Sequence, residues 1–143
     1  MQASAFAIAF QAAALLLTTA FASPASADHD RQYYTAQQSN AGASAYASQC
    51  SVCHGSQLQG KTGPALAGSD FRDSISYSKM SGKQFYRFIS SQMPYDNPGS
   101  LTAEQYQQIM AYILDENGFP SGKQPLNQES LDQVSLLPFP AKP

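Results

Sequence analysis

The chain has 143 residues, with 8 Lys and Arg against 10 Asp and Glu, so its formal net charge at pH 7 is −2. This balance does not suggest a nucleic-acid-binding surface, and the length suits one domain rather than two. The chain contains 2 Cys, 2 His and 4 Met, and these few residues carry most of the chemical information in the sequence.

Residues 1–27 are predicted to be a signal peptide. The stretch 3–17 is largely apolar but short for a membrane span. Ala25 and Ala27 are small residues at alternate positions, as signal peptidase requires, so we expect cleavage after Ala27 and a periplasmic protein. The segment has no Lys or Arg, which leaves an uncleaved membrane anchor as the alternative.

A polar lead-in, residues 28–40, is expected to precede the folded domain and to be flexible or loosely packed. The domain itself is predicted over residues 41–118. Its first helix runs from about Ala41 to Gln49, where Gly42 and Tyr46 are four residues apart and share one face. Glycine at this position allows a second helix to approach closely.

The sequence CSVCH at residues 50–54 is the strongest motif in the chain. Thiols at Cys50 and Cys53 can each form a thioether with haem c, while His54 is placed to ligate the iron. A reactive disulfide would need a βαβ unit, which the sequence does not indicate. A zinc site would need four ligands, and the only other histidine is His29. We therefore predict one covalent haem c.

A Gly-Pro turn follows shortly after this motif, in GPAL at residues 63–66. An iron-bound imidazole usually donates its second N–H to an acceptor that fixes the ring. We expect the carbonyl of Pro64 to accept this hydrogen bond from His54, and Leu66 to pack against the haem face.

The second axial ligand is predicted to be Met93. A helix from about Gly82 to Ser91 leads to it, and Pro94 favours an extended backbone that lets the thioether point away from the helix. The helix has an apolar stripe formed by Phe85, Phe88 and Ile89.

The other two methionines after residue 27 are less suitable as ligands. Met80 lies in a polar loop, and Met110 lies in the apolar stripe of the last helix, where methionine usually fills the core. If no methionine binds, the iron would be five-coordinate or would carry water or His29.

The clearest helix in the sequence begins after Thr102. Thr102 can cap the N-terminus while Gln105 reaches back in a capping box, and Gly118 stands where a left-handed C-terminal cap is expected. We expect this helix to cross the first helix at Gly42 and Tyr46. Its apolar stripe comprises Tyr106, Ile109, Met110, Ile113 and Leu114.

The C-terminal extension, residues 119–143, is rich in proline. Asn127 is predicted to cap a short helix over about residues 128–134. The apolar residues of the extension favour a strap that packs on the domain, and a docking segment for a larger partner is the alternative.

Taken in this order, the motifs resemble those of the class I cytochromes c over about residues 33–120. The shared positions are Gly42 and Tyr46, CSVCH at 50–54, GPAL at 63–66, Met93-Pro94 and AYIL at 111–114. Segments 93–101 and 117–120 look like the cytochrome c domains associated with pyrroloquinoline quinone (PQQ)-dependent alcohol dehydrogenases.

This resemblance implies an all-α fold with three to five helices around one covalently bound haem. Many such proteins carry a tryptophan before the helix that leads to the methionine; this chain has none, and Tyr77 stands there instead, where it would bond a haem propionate.

The implied function is outer-sphere transfer of single electrons, without catalytic residues. We expect a monomer that takes electrons from a redox protein such as a PQQ-dependent dehydrogenase, passes them to an oxidase, and meets the membrane only through a partner. The alternatives are a haem subunit bound permanently to a dehydrogenase complex, a general respiratory carrier unrelated to alcohol oxidation, and gas binding or peroxidase-like chemistry at an open iron.

Overall fold

The computed structural model describes residues 32–140, so the predicted signal peptide and His29 lie outside the described residues. Within this range the chain is helical and has no strand, which confirms the all-α prediction. None of the described helices is long and apolar enough to cross a bilayer. The helices are α1 (Ala36–Gln49), α2 (Ser51–His54), α3 (Gly68–Ser78), α4 (Gly82–Gln92), α5 (Ala103–Glu116) and a 3-10 helix (Ser130–Gln133).

Helix α1 begins at Ala36, five residues before the start expected from the sequence. The hydroxyl of Thr35 caps it by accepting a hydrogen bond from the backbone N–H of Gln38 at 3.2 Å. Ser39 is buried and donates to the carboxylate of Asp115 at 2.5 Å. The prediction of a loosely packed lead-in is therefore wrong for this part of the chain, because its polar residues serve as a cap and as partners of α5.

Helices α1 and α5 cross at Gly42, as the sequence predicts. A Cβ atom on Gly42 would overlap the carbonyl oxygen of Gln108 and lie 2.9 Å from Cβ of Tyr112, so only glycine allows this approach. Beside the crossing, the rings of Tyr46 and Tyr112 pack with their centroids 5.4 Å apart. The crossing fixes the C-terminal end of α1, from which the CSVCH motif continues.

The two ends of α5 are stabilised as expected. Thr102 and Gln105 form a capping box at the N-terminus. At the C-terminus Gly118 has φ +82°, and its N–H donates to the carbonyl of Asp115 at 2.8 Å while Phe119 donates to Leu114 at 3.1 Å. This pair of bonds is a Schellman motif, and it turns the chain sharply into the extension.

Helices α3 and α4 complete the core. The sequence did not predict α3, whose inward face carries only Phe71 and Ile75. Phe71 packs edge-on against Phe85 of α4, with ring centroids 5.5 Å apart. Phe88, expected in the apolar stripe of α4, is 46% exposed, and Tyr86 is buried in α4.

The C-terminal extension packs on the helices. Gln38 of α1 holds it with two hydrogen bonds, from its Nε2 to the carbonyl of Leu126 at 2.7 Å and from the N–H of Leu126 to its Oε1 at 2.8 Å. Gly82 donates to the carbonyl of Val134 at 3.1 Å. Instead of a helix over residues 128–134, the structure has a 3-10 helix whose start is held by the side chain of Asn127. The buried apolar residues of the extension are Phe119, Leu126, Leu131, Val134 and Leu136.

Candidate haem-binding site

The CSVCH motif lies on a single helical turn. Cys50 interrupts the helix between α1 and α2, and the backbone N–H of His54 donates to its carbonyl at 2.9 Å. Both cysteines are free; Cys50 is half-buried and Cys53 is exposed. Residues three apart on such a turn share one face, which is the spacing that two thioether bonds to one haem require.

The two thiols differ in their surroundings. Burial, with a smaller contribution from Cys53, raises the pKa of the Cys50 thiol to about 11. Before attachment Cys50 is therefore a protonated thiol at neutral pH, while Cys53 is open to solvent.

The imidazole of His54 is fixed by the loop that follows it. Its Nδ1 lies 2.8 Å from the carbonyl oxygen of Pro64, which is the contact expected from the sequence. Because a carbonyl only accepts, Nδ1 carries the proton in this contact and Nε2 keeps its lone pair for a metal. Nε2 makes no hydrogen bond within residues 32–140, so this tautomer leaves it available to ligate iron.

Gly63 lets this loop lie directly against the ring of His54. A Cβ atom on Gly63 would be 2.8 Å from Cε1 and 3.0 Å from Nδ1 of the imidazole. The loop is also tied to the motif itself: Gly63 donates to the carbonyl of Cys53 and Gly60 to that of His54, each at 2.8 Å. The site fits an axial histidine beneath a covalent haem. It combines a loop that lies against the imidazole, a free Nε2 and two cysteines.

Leu66 connects this loop to α5. Its N–H donates to the carbonyl of Leu58 at 2.8 Å, and its own carbonyl accepts from Nδ2 of Asn117 at 2.9 Å. Asn117 also donates to Ile113 at 2.8 Å, and its Oδ1 is buried without a partner. The sequence does not predict this support of the His54 loop, because Leu66 and Asn117 are 51 residues apart.

Met93 ends α4 in the extended conformation expected before proline, with φ −121° and ψ 154°. It is half-buried, and its carbonyl accepts hydrogen bonds from the hydroxyl of Tyr106 at 2.5 Å and the N–H of Gly99 at 3.2 Å. Its backbone is thus held in place while its thioether is not part of the core.

The other methionines have different surroundings. Met110 is fully buried in α5. Met80 lines a cavity of about 750 Å³ beside the extension, together with Tyr33 and Val134, and neither the cysteines nor His54 line that cavity. Ligation of the iron by Met93 stays a prediction from the sequence.

Tyr77 lies in the last turn of α3, where its side chain is 93% exposed. Its hydroxyl makes no hydrogen bond within the described part of the chain, and its role at a haem propionate stays a prediction.

Three features together define a cytochrome c domain. They are the attachment motif on one helical turn, the histidine whose ring is held by the following loop, and the crossing of the first and last long helices. Residues 37–113, from α1 into α5, match the family described as cytochrome c oxidase, cbb3-type, subunit III. The chain belongs to this cytochrome c family, so its cofactor is covalently bound haem c and it is an electron-transfer protein. Comparison with curated proteins and with solved structures gave no significant match.

Proposed function

We propose that this protein is a periplasmic carrier of single electrons, with haem c attached to Cys50 and Cys53 and the iron ligated by His54 and Met93. The contact between Nδ1 of His54 and Pro64 carries the assignment of His54 as a ligand, because it fixes the ring and leaves Nε2 for the iron. The bound haem supplies one-electron chemistry between ferric and ferrous iron.

The protein supplies two influences on the reduction potential. A neutral thioether from Met93 favours the ferrous state and raises the potential relative to a second histidine. The Pro64 hydrogen bond makes the imidazole of His54 a stronger donor, which favours the ferric state in turn. The carrier's potential would follow from the balance of these effects.

The ligand assignment is tested with Met93→Ala and the control Met80→Ala, which alters a methionine in the cavity beside the extension. We expect Met93→Ala to lower the reduction potential and to let the ferrous protein bind CO. Met80→Ala should resemble the wild type in both measurements. An unchanged potential and no CO binding in Met93→Ala would remove Met93 from the coordination sphere.

The proposed donor is a PQQ-dependent alcohol dehydrogenase, and the proposed acceptor is a terminal oxidase. The support for this donor is the sequence resemblance of residues 93–101 and 117–120, which correspond to the loop after Met93 and the Schellman end of α5. Electron transfer needs only close approach of the haem edge to a redox partner, so the same site also suits a general respiratory carrier.

A second candidate is a haem module held permanently in a larger complex. The name of the matched family describes an oxidase subunit, and this favours the second candidate. The two are distinguished by mild extraction: a carrier is released from the periplasm as a monomer, whereas a module co-migrates with a dehydrogenase or an oxidase through size-exclusion chromatography.

A further inference from the structure

The hydroxyl of Tyr106 lies between the two ends of the loop formed by residues 93–101. It donates to the carbonyl of Met93 at 2.5 Å and accepts from the N–H of Leu101 at 3.4 Å, so one side chain of α5 contacts both ends of the loop. Tyr106 itself is only 4% exposed, which holds its ring firmly in the core.

The loop has little else to hold it. Residues 95–100 are all exposed, and Tyr95 is 86% exposed. Its own backbone provides hydrogen bonds from Asn97 to Pro94 at 3.0 Å and from Gly99 to Met93 at 3.2 Å. A segment with few buried contacts opens more easily than the helices around it.

We propose that Tyr106 is a positioning residue that keeps the thioether of Met93 within reach of the iron. This inference rests on the proposed ligation by Met93. The hydroxyl acts through the backbone of Met93, because it fixes the carbonyl of the residue from which the ligand extends. The effect should be largest in the ferric protein, because a thioether ligand favours the ferrous state.

The consequence is measurable as access of an external ligand to ferric iron. Cyanide binds only when Met93 has left, so its apparent affinity reports the fraction of open loop. A net contribution typical of one hydrogen bond corresponds to about a fivefold change in that fraction. We expect Tyr106→Phe to keep the ring in the core and to bind cyanide about fivefold more tightly.

Tyr86→Phe is the matched control. Tyr86 is 5% exposed, and its hydroxyl donates to the carbonyl of Ala103 at 3.4 Å, outside the loop. The experiment compares cyanide affinity, the charge-transfer band between thioether and ferric iron, and the urea midpoint in the holoprotein of the wild type, both Tyr→Phe variants and Met93→Ala. We expect tighter cyanide binding in Tyr106→Phe, with the band retained before cyanide is added, and wild-type affinity in Tyr86→Phe.

The contrary outcomes distinguish an error in the ligand assignment of Met93 from an error in the positioning role of Tyr106. If Met93→Ala has the wild-type cyanide affinity and band, the ligand assignment is wrong and the role of Tyr106 is lost with it. If Met93→Ala changes both but Tyr106→Phe binds cyanide as the wild type does, the ligand assignment stands and the positioning role is overturned. Equal increases in the two Tyr→Phe variants, in proportion to lower urea midpoints, would also overturn it, because they would reflect general loosening.

Discussion

Replacing Gly42 with alanine tests the helix crossing that underlies the site. The new Cβ would overlap the carbonyl oxygen of Gln108 and lie 2.5 Å from its carbonyl carbon, whereas ordinary contact begins near 3.4 Å. The backbones of α1 and α5 must therefore separate by more than 0.9 Å, the difference between these two distances, because the carbonyl oxygen lies closer than the carbon. Overpacking of this kind costs up to ~3 kcal/mol, and the better helix propensity of alanine offsets ~1 kcal/mol.

We therefore expect Gly42→Ala to lower the free energy of unfolding by about 2 kcal/mol, measured by urea denaturation of the ferric holoprotein. Ser44→Ala is the control, because Ser44 is exposed in the same helix and should gain a few tenths of a kcal/mol. If Gly42→Ala is as stable as the wild type or more so, the close contact between α1 and α5 does not exist in solution.

Three further changes test the packing around the site. Leu131 is fully buried in the extension, so Leu131→Ala should lower the free energy of unfolding by about 2–5 kcal/mol in urea denaturation. The exposed control Glu129→Ala should lower it by almost nothing. Equal stabilities of the two variants would mean that the extension is detached. Asn117→Ala should cost about 1–3 kcal/mol because the carbonyl of Leu66 loses its donor, and an unchanged urea midpoint would contradict this support of the His54 loop. Burial raises the pKa of Tyr46 from 10.0 to about 12, so its neutral form stabilises the fold below pH 10 and this contribution is lost as the pH rises toward 12. Tyr46→Phe should flatten this alkaline loss in a series of urea titrations, and a slope equal to that of the wild type would refute it.

The parts of the fold predicted from sequence are those with strong local signals. The capping box of α5 and the Gly118 cap depend on residues a few positions apart, and the structure has both. Gly42 predicts the crossing of α1 and α5, because a glycine in a helix that leads into a haem motif is commonly explained by close contact with another helix.

The parts that were missed depend on contacts distant in sequence. Helix α3 has only Phe71 and Ile75 on its buried face, too few for a periodic signal, and its packing comes from Phe85 and from the extension. The early start of α1 is stabilised by the local Thr35 cap and by the hydrogen bond from Ser39 to Asp115, 76 residues away. No local pattern contains such a partner.

The candidate site likewise contains residues that local sequence patterns predict and residues that only the fold brings together. The motif at 50–54 and the Pro64 acceptor follow from short spacing and from the general need of a ligating histidine for a second partner. The roles of Asn117 and Tyr106 arise only when α5 is placed beside the two loops, because each bond joins α5 to a different loop.

The measurement that tests the proposed function most directly is stopped-flow reduction of the ferric holoprotein by a purified PQQ-dependent alcohol dehydrogenase from the same organism, with and without a short-chain alcohol. We predict fast reduction of the haem bands that requires the alcohol, followed by reoxidation when membranes containing the terminal oxidase are added. Failure of the active dehydrogenase to reduce a protein that dithionite reduces readily would contradict the proposed donor, and reoxidation by the membranes would then identify a general respiratory carrier.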